Sequence, residues 1–575
     1  MKGRILIHDL DEGMLGNTVR LYGFIDSIRK LGALIFCYLR DDTGKIQVFF
    51  DRTSAGDEQY ALAESLKAEH IVSLSGILKN RPGEQALGTD KGAFEIEAKE
   101  LKVLAAGQTP PFEISKTEEI NEALRGKFRY LEIRNPAIKN KIKFHALVGR
   151  YIREYFYSKD YLEIETPYLI KSTPEGARDF IVPSRNFKGQ FYALAQSPQL
   201  LKQLLMASGF EKYFQIARCF RDEDLRADRQ PEFSQLDMER AFVEEDEIFS
   251  EIEGMFSYLA EKTGVAIETP FPRMTYASAL EKYASDKPDL RNPLFIEDYT
   301  GIFADLDMDM IRNELKTGSR VRGIKVPHAV SRSQAKKFEE KIKAHGGKGL
   351  IYASRSLGET SFTFSKYAPQ GFIEKFNLSD DESIFFQISG RDASMLNYLR
   401  TLLSEEFALN ADGLKFLWVT DFPLFEINAE GVIGSSHHPF TAPADPSDIF
   451  GNSKPLTAIV SKAYDIVLNG TELGSGSIRI NDVKVQRRIF EHLGISEKEQ
   501  KERFGFFLQA MEYGFPPHGG AALGIARIAA MLEGSPSIKD YIAFPKTTSA
   551  SCLMTDSPSP VDKSQLDELG LDIKG

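Results

Sequence analysis

The feature that most limits the fold of this chain is a change in the period of its apolar residues. Over residues 1–105 they recur in short alternations of two. Segments 18–28, 33–40 and 46–50 are rich in β-formers, and they are broken by Gly32 and by the Asp-Asp-Thr-Gly turn at 41–44. A helix-like stretch at 57–67 follows, then strands at 71–78 and 94–104, the latter alternating as F-E-I-E-A. Five strands with a helix between the third and fourth is the order of an OB-fold barrel; any small β-barrel is the plainer alternative. Residues 107–111, GQTPP, are turn formers and read as a linker. From residue 140 the period becomes helical: Phe144, Leu147, Val148, Tyr151, Ile152, Tyr155 and Phe156 share one face. Segment 161–166 then alternates as a strand and stops at Pro167.

A further change spans 296–412. A strand at 325–330, a basic helix at 331–345 stopped by Gly346-Gly347, and a strand at 350–354 read as an inserted α/β domain. From Phe416 a longer apolar run, FLWVTDFPLF, resumes. The Ser/Pro-rich tail after Tyr541 keeps apolar residues and is expected to lie over the body.

At roughly 150 residues per domain, 575 residues allow about four domains. Hydrophobic residues are 42% and charged residues 27%, so several ordinary cores can form without metals or disulfides. The net charge of −11 excludes a uniformly basic nucleic-acid coat, but not a local basic patch. Cys37, Cys219 and Cys552 are far apart and form no CxxC, which argues against structural zinc and for a reducing compartment. The start, MKGRILIHDLDEGM, resembles neither a secretion signal nor an organelle presequence. No apolar run approaches 18 residues, so no membrane span and a cytoplasmic location are expected.

Four clusters carry polar chemistry. In Ser197-Pro198-Gln199-Leu200-Leu201-Lys202, Ser before Pro reads as a helix N-cap and first position, with Gly209 as the stop. Gln199 and Lys202 share a face near that N-terminus and suit a carboxylate, or form a solvated face. In Cys219-Phe220-Arg221-Asp222-Glu223, Arg221 and Glu223 project to one side, and Phe233 returns on an adjacent strand that continues through Asp237 and Glu239. That hairpin can hold a phosphate, a base amine and a base ring, or be a surface hairpin with ion pairs. In Glu472-Leu473-Gly474-Ser475-Gly476-Ser477-Ile478-Arg479, small residues allow close approach and Arg479 can fork onto a carboxylate. Asp465 lies seven residues earlier, so Asp465 and Glu472 could ligate Mg²⁺; the alternative is a glycine-rich turn. In Gly519-Gly520-Ala521-Ala522-Leu523-Gly524-Ile525-Ala526-Arg527, an arginine opens a helix after a glycine strand, which suits a polyphosphate or plain strand–helix packing. It is no Walker A loop, and His437-His438 without HExxH is no metalloprotease site.

Taken in order, these segments resemble the class II aminoacyl-tRNA synthetases, subclass IIb, of the bacterial aspartyl type, over essentially the whole chain. The strand ending at Pro167 looks like motif 1, FRDE (220–223) with RQPEF (229–233) like motif 2, and GIAR (524–527) like motif 3. TPEGARDF (173–180), QSPQLLKQLLM (196–206), HHPFTAP (437–443) and GSGSIRI (474–480) are close to the family's own strings. The resemblance implies an α+β multidomain fold: an OB-fold anticodon-binding domain (1–106), a hinge (107–135), a catalytic domain in two parts (136–295 and 413–545) built on an antiparallel six-stranded sheet, an inserted α/β domain (296–412), and a C-terminal extension (546–575).

It also implies roles. Arg221 and Arg527 are the catalytic cations. L-aspartate is held by Glu175, Ser197, Gln199, Lys202, Arg221, Asp237, His437 and Arg479, and His438 assists. ATP meets Arg221, Asp222, Glu223, Gln230, Phe233, Glu472, Gly524, Ile525, Ala526 and Arg527, with adenine between Phe233 and Arg527. Asp465 and Glu472 hold Mg²⁺. Arg29, Leu31, Phe36, Gln47 and Phe49 contact the anticodon of tRNA-Asp, and the enzyme is a homodimer. Ala526 departs from the family's usual Asp, and the loop after Arg81 lacks the usual Asn. Leu31 stands where enzymes specific for tRNA-Asp carry Leu and relaxed ones His, which points to specific charging. Alternatives are charging of tRNA-Asn as well, a sister ligase for asparagine or lysine, and a non-catalytic tRNA-binding paralogue. Lys202 with Arg479 opposes the sister ligases, because two cations call for an acidic side chain.

Overall fold

The computed structural model describes residues 3–81, 93–172, 177–225, 228–390, 393–428, 430–451 and 454–574. It forms two compact units, Met1–Asn135 and Pro136–Gly575.

In the first unit, strands β1 (Thr18–Leu31), β2 (Leu34–Arg40), β3 (Lys45–Asp51), β4 (Ile71–Asn80) and β5 (Phe94–Ala105) close a barrel in the order β1-β2-β3-β5-β4. The two-residue period sends Leu21, Ile35, Val48, Leu74 and Ile96 inward. It leaves Arg29, Phe36, Gln47 and Phe49 on the outer face. Helix α1 (Asp57–Glu64) lies between β3 and β4 in sequence and buries Tyr60 and Ala63. Gly56 enters it at φ +84°, a conformation costly for any residue with a Cβ. The order matches the expected OB barrel.

In the second unit, helix α2 (Pro136–Ser158) buries Val148, Ile152, Tyr155 and Phe156, the stripe its period marks. Strands β6 (Leu162–Glu163), β7 (Lys212–Phe220), β8 (Glu232–Ala241), β9 (Arg273–Thr275), β10 (Phe416–Thr420), β11 (Ala463–Leu468), β12 (Thr471–Ile478) and β13 (His518–Gly524) form one sheet. Its order is β9-β10-β11-β12-β13-β8-β7-β6. The inner six strands are antiparallel, as the resemblance implies, and β6 and β9 add short parallel edges. Segment 161–166 therefore contributes two paired residues rather than a full strand. Beyond them Thr166 is fixed by its side chain, which donates to Gln215 Oε1 at 2.9 Å. Helix α3 (Gln199–Ala207) begins one residue later than the Ser-Pro pattern suggests, with Pro198 as its N-cap and Gly209 ending it at φ +90°. Helix α4 (Glu245–Thr263) starts in a Glu244/Glu247 capping box, stops at left-handed Gly264, and packs with α2 around one core.

Between the two halves of that sheet, strands 296–298, 320–326, 382–389, 351–356 and 359–362 form a separate five-stranded sheet, in that order. The strand expected at 325–330 is Arg320–Val326. Pro327 lacks the N–H that a ladder needs, so pairing ends at Val326 and extends in the other direction. Helix α5 (Ser394–Glu406) and the helix Arg332–Ala344 pack on one face, through Phe338, Leu399 and Phe385. The tail lies on the body as expected: Lys546 N donates to Gln230 Oε1 at 2.7 Å, and Gln230 Nε2 donates back to Lys546 O at 3.2 Å.

Candidate active site

Alternation along β8 aims Phe233, Gln235, Asp237 and Glu239 at one face of the sheet. The neighbouring β12 and β13 supply little but Gly, Ser and Ala there, so the face is hollow. A Cβ at Gly520 would overlap the Met238 carbonyl and the Glu239 carboxylate, which is why only glycine fits. Helix α6 (Ile525–Leu532) follows β13 and carries Arg527 in its first turn.

Two adjoining cavities of about 210 Å³ each open on this face. The first is lined by Phe233, Gln230, Glu472, Gly524, Ala526 and Arg527. The second is lined by Ser197, Gln199, Asp237, His437, His438 and Arg479. Arg221, Glu223, Gln235, Ser475 and Ala522 border both. Arg221 holds its guanidinium 5.2 Å from the Phe233 ring centroid. Arg527 is braced from behind, donating from Nη1 to Glu472 O at 2.8 Å and from Nη2 to Asp228 O at 3.3 Å.

The floor of the second cavity is a buried charge network. Lys202 Nζ lies 3.1 Å from Asp237 and 3.3 Å from Glu239, and all three are at most 1% exposed. Arg479 donates to both oxygens of Glu239, at 2.9 and 3.1 Å. It also donates to Ser477 Oγ at 2.6 Å and reaches His438 Nε2 at 2.7 Å. Two cations and two carboxylates balance. Burial opposes ionisation of Glu239, but Arg479 and Lys202 overcome it and hold its carboxyl at about 2. For Asp237 burial wins, and its carboxyl is raised despite Lys202. Burial, helped by Arg479, pushes His438 well below its ordinary value, so it is neutral and accepts from Arg479. The amide Nε2 of Gln199 is buried on this cavity with no partner among the described residues, a donor set for an incoming acceptor.

The carboxylates Asp465 and Glu472 sit on adjacent strands β11 and β12. Asp465 Oδ1 is 3.0 Å from His437 Nε2, and Glu472 Oε2 is 2.7 Å from Lys287 Nζ. Burial and repulsion from Glu472 raise Asp465, whereas Lys287 overcomes burial and lowers Glu472. Two hard oxygen donors beside the first cavity fit Mg²⁺ arriving with phosphate oxygens. Among the described residues no group of three or more His, Cys, Asp or Glu side chains could hold a metal by itself.

Most of the expected residues meet here, and three do not. Asp222 turns outward to Arg178, 3.6 Å away, because β7 ends at Phe220 and the loop alternates sides after it. Ile525, the first residue of α6, is 2% exposed in the core, and its side chain lines neither cavity. Lys202 is wholly buried behind Asp237 and Glu239 and lines neither cavity, so its charge acts through them. Of the leucines of α3 only Leu200 is buried, and residues 201, 204 and 205 are partly covered; Gln199, Lys202, Gln203 and Met206 complete the buried face. Glu175 and the loop after Arg81 lie outside the described residues. The sequence reading gave no role to Glu239, although its spacing of two from Asp237 puts it on the same face. It missed Lys287, which has no local signal.

On the first unit, the register β1-β2-β3 lines up Arg29, Phe36 and Phe49 across the outer face. The Phe36 and Phe49 ring centroids are 6.2 Å apart, and Lys79 Nζ lies 5.9 Å over Phe49. Gln47 donates to Glu95 at 2.9 Å, and Leu31 is 60% exposed at the hairpin end. Stacking surface and cations on a barrel face suit single-stranded nucleic acid.

Comparison with known proteins agrees with this geometry. Residues 121–548 match the family described as tRNA synthetases class II (D, K and N), and residues 19–104 match the OB-fold nucleic acid binding domain. The aspartate–tRNA(Asp/Asn) ligase of Dictyoglomus turgidum is 45% identical over 98% of this chain and 97% of its own. The aspartate–tRNA ligase of Fervidobacterium nodosum is 42% identical over 97% of each. The asparaginyl-tRNA synthetase of Pyrococcus horikoshii shares the fold, with TM-score 0.62 and 19% identity, covering 95% of this chain and 99% of that one. The chain belongs to the class II tRNA synthetases of this D, K and N group. The full-length matches near 40–45% identity narrow that further. Within the group it is a bacterial-type aspartyl-tRNA synthetase, an aminoacyl-tRNA ligase.

Proposed function

We propose that the chain activates L-aspartate with ATP to aspartyl-adenylate and then esterifies the 3′ end of tRNA-Asp. The observation that carries this reading is Arg221 on the wall common to both cavities. A group held there bridges a carboxylate in one cavity and an α-phosphate in the other. The substrate's α-carboxylate oxygen bonds to the α-phosphorus as the bond to the β-phosphate oxygen breaks, and pyrophosphate leaves. Arg221 and Arg527 face the charge that develops, already oriented by their protein contacts. Phe233 and Arg527 would flank the adenine, and Glu223 and Gln230 would meet its edge and the ribose phosphate side. Arg479, oriented by Glu239 and neutral His438, would take the aspartate side chain, with Gln199 and Asp237 toward its ammonium. Asp465 and Glu472 would hold Mg²⁺, which when bound neutralises phosphate charge.

Homodimer formation is part of the reading. Leu162, in the edge strand β6, is 53% exposed, an apolar edge that a second copy would cover. A cytoplasmic site of action fits three buried, unbridged cysteines. Among the described residues no helix is long and apolar enough to cross a membrane. Exposed Leu31, at the end of the hairpin that carries Phe36, supports reading of the tRNA-Asp anticodon. A second reading, charging of tRNA-Asn too, is favoured by relatives named for both tRNAs. ATP–pyrophosphate exchange driven by aspartate, and not by asparagine or lysine, tests the activation step; absence of exchange with aspartate would refute it. Charging of purified tRNA-Asp and tRNA-Asn separates the two readings.

A further inference from the structure

Residues 285–294 lead from the catalytic unit's sheet toward the separate five-stranded sheet, and one side chain of this strap returns to the site. Lys287 Nζ is 2.7 Å from Glu472 Oε2. The strap is gripped from its other side by α5. Arg400, 1% exposed, donates from Nε to Leu294 O at 2.7 Å, and from Nη2 to Asp289 O at 2.8 Å and Asn292 O at 3.0 Å. Asn292 Nδ2 donates back to Arg400 O at 3.1 Å, and Tyr283 lies 4.7 Å under the guanidinium. The strap also touches the β11–β12 turn closely: a Cβ on Gly470 would come within 3.3 Å of Asp289 Cβ. A buried guanidinium bonded to three backbone carbonyls is costly to desolvate. Here it fixes the path of one short segment, and that segment delivers one ammonium to the carboxylate pair.

We propose that Lys287 is the resident counter-cation of the Asp465–Glu472 pair, and that Arg400 is the positioning residue that keeps it there. The inference rests on reading that pair as the magnesium site. With Lys287 in place, a divalent ion without nucleotide meets a carboxylate already neutralised. An ion bound to ATP brings its own anionic oxygens, to which the ammonium can turn. Lys287 thus makes metal binding depend on nucleotide, and the inserted domain sets how firmly through Arg400. This differs from a passive surface ion pair, which would leave metal affinity unchanged.

Mn²⁺ binding to the full-length enzyme, followed by the electron paramagnetic resonance of free Mn²⁺, tests this without reference to turnover. In the absence of nucleotide, Lys287→Gln should bind Mn²⁺ at least tenfold more tightly than the parent. Adding Glu472→Gln should abolish the gain. Lys287→Arg, which keeps the charge, should bind as weakly as the parent. Arg400→Met should shift affinity in the direction of Lys287→Gln, and the two should combine less than additively, since they act through one ammonium. Equal nucleotide-free affinity of Lys287→Gln and parent overturns the proposal, and so does full additivity with Arg400→Met. The underlying metal reading fails separately: if Glu472→Gln binds Mn²⁺ with ATP as tightly as the parent does, the pair is not the metal site and the proposal falls with it.

Discussion

Replacing Glu239 by Gln is the sharpest test of the buried charge network. The carboxylate is fully buried, accepts twice from Arg479 at 2.9 and 3.1 Å, and lies 3.3 Å from Lys202. Glutamine keeps the shape and removes the charge, leaving two buried cations facing Asp237 alone. Two routes give the size of the effect. Breaking one side of a buried ion pair costs about 3–5 kcal/mol. Independently, the Glu239 carboxyl falls from 4.5 to about 2 on folding, which converts to about 3 kcal/mol. Because the folded value is depressed, this stability is fully present above 4.5 and is lost as pH falls toward about 2. Trp418 is the only tryptophan, and it is 1% exposed in β10, with its ring 4.4 Å from Phe249 in the same core. Urea unfolding followed by its fluorescence should show the variant about 3 kcal/mol less stable at pH 7. The gap to the parent should close as pH falls below 4.5 toward 2. In pyrophosphate exchange the variant should lose aspartate affinity with little change in the KM for ATP, because Arg479 loses its anchor. Equal stability at pH 7, or a gap that does not narrow in acid, would mean that Arg479 and Lys202 do not hold Glu239 ionised.

Arg479→Leu should remove aspartate-dependent exchange while sparing ATP binding; unchanged aspartate affinity would contradict the assignment. Phe36→Ala should weaken tRNA charging by about 1–3 kcal/mol, the worth of one stacked base, and leave adenylate formation intact; loss of pyrophosphate exchange instead would contradict the division of labour between the two units. Gly520→Ala should sharply lower the melting temperature, because its Cβ meets the Met238 carbonyl and the Glu239 carboxylate. Gly149→Ala in α2 serves as the comparison: its Cβ would meet only Ile216 Cδ1, at 4.0 Å, and the change should stabilise by about 1 kcal/mol. His438 should stay neutral through pH 6.5 in an NMR titration, since its value lies well below that. The unfolded chain takes up that proton first, so this side chain costs stability as pH falls through 6.5.

Sequence alone determined the features that depend on local period and on strings of special residues. The alternation in the first hundred residues prescribes five strands, since a strand with one buried face must repeat every two residues. The glycines and alanines of β12 and β13 mark where a sheet face is hollow, and Arg221, Phe233, Arg479 and Arg527 were legible from the motifs around them. Strand and helix ends were legible only where Pro or Gly forces them, as at Gly209 and Gly346. Pro327 could have ended its strand in the same way, had its missing N–H been counted.

Tertiary structure decided the pairing of charges. Glu239 and Arg479 are 240 positions apart, and Lys287 and Glu472 are 185 apart; which cation answers which carboxylate depends on strand order and on the path of the strap. Lys202 reads in sequence as a direct ligand of the substrate. In the fold, Lys202 stands behind Asp237, and Asp465 is already bonded to His437. The reason is the cost of burying charge. An ionised group on a hydrophobic sheet must find its partner from whatever element the topology brings near, and no local pattern records that choice.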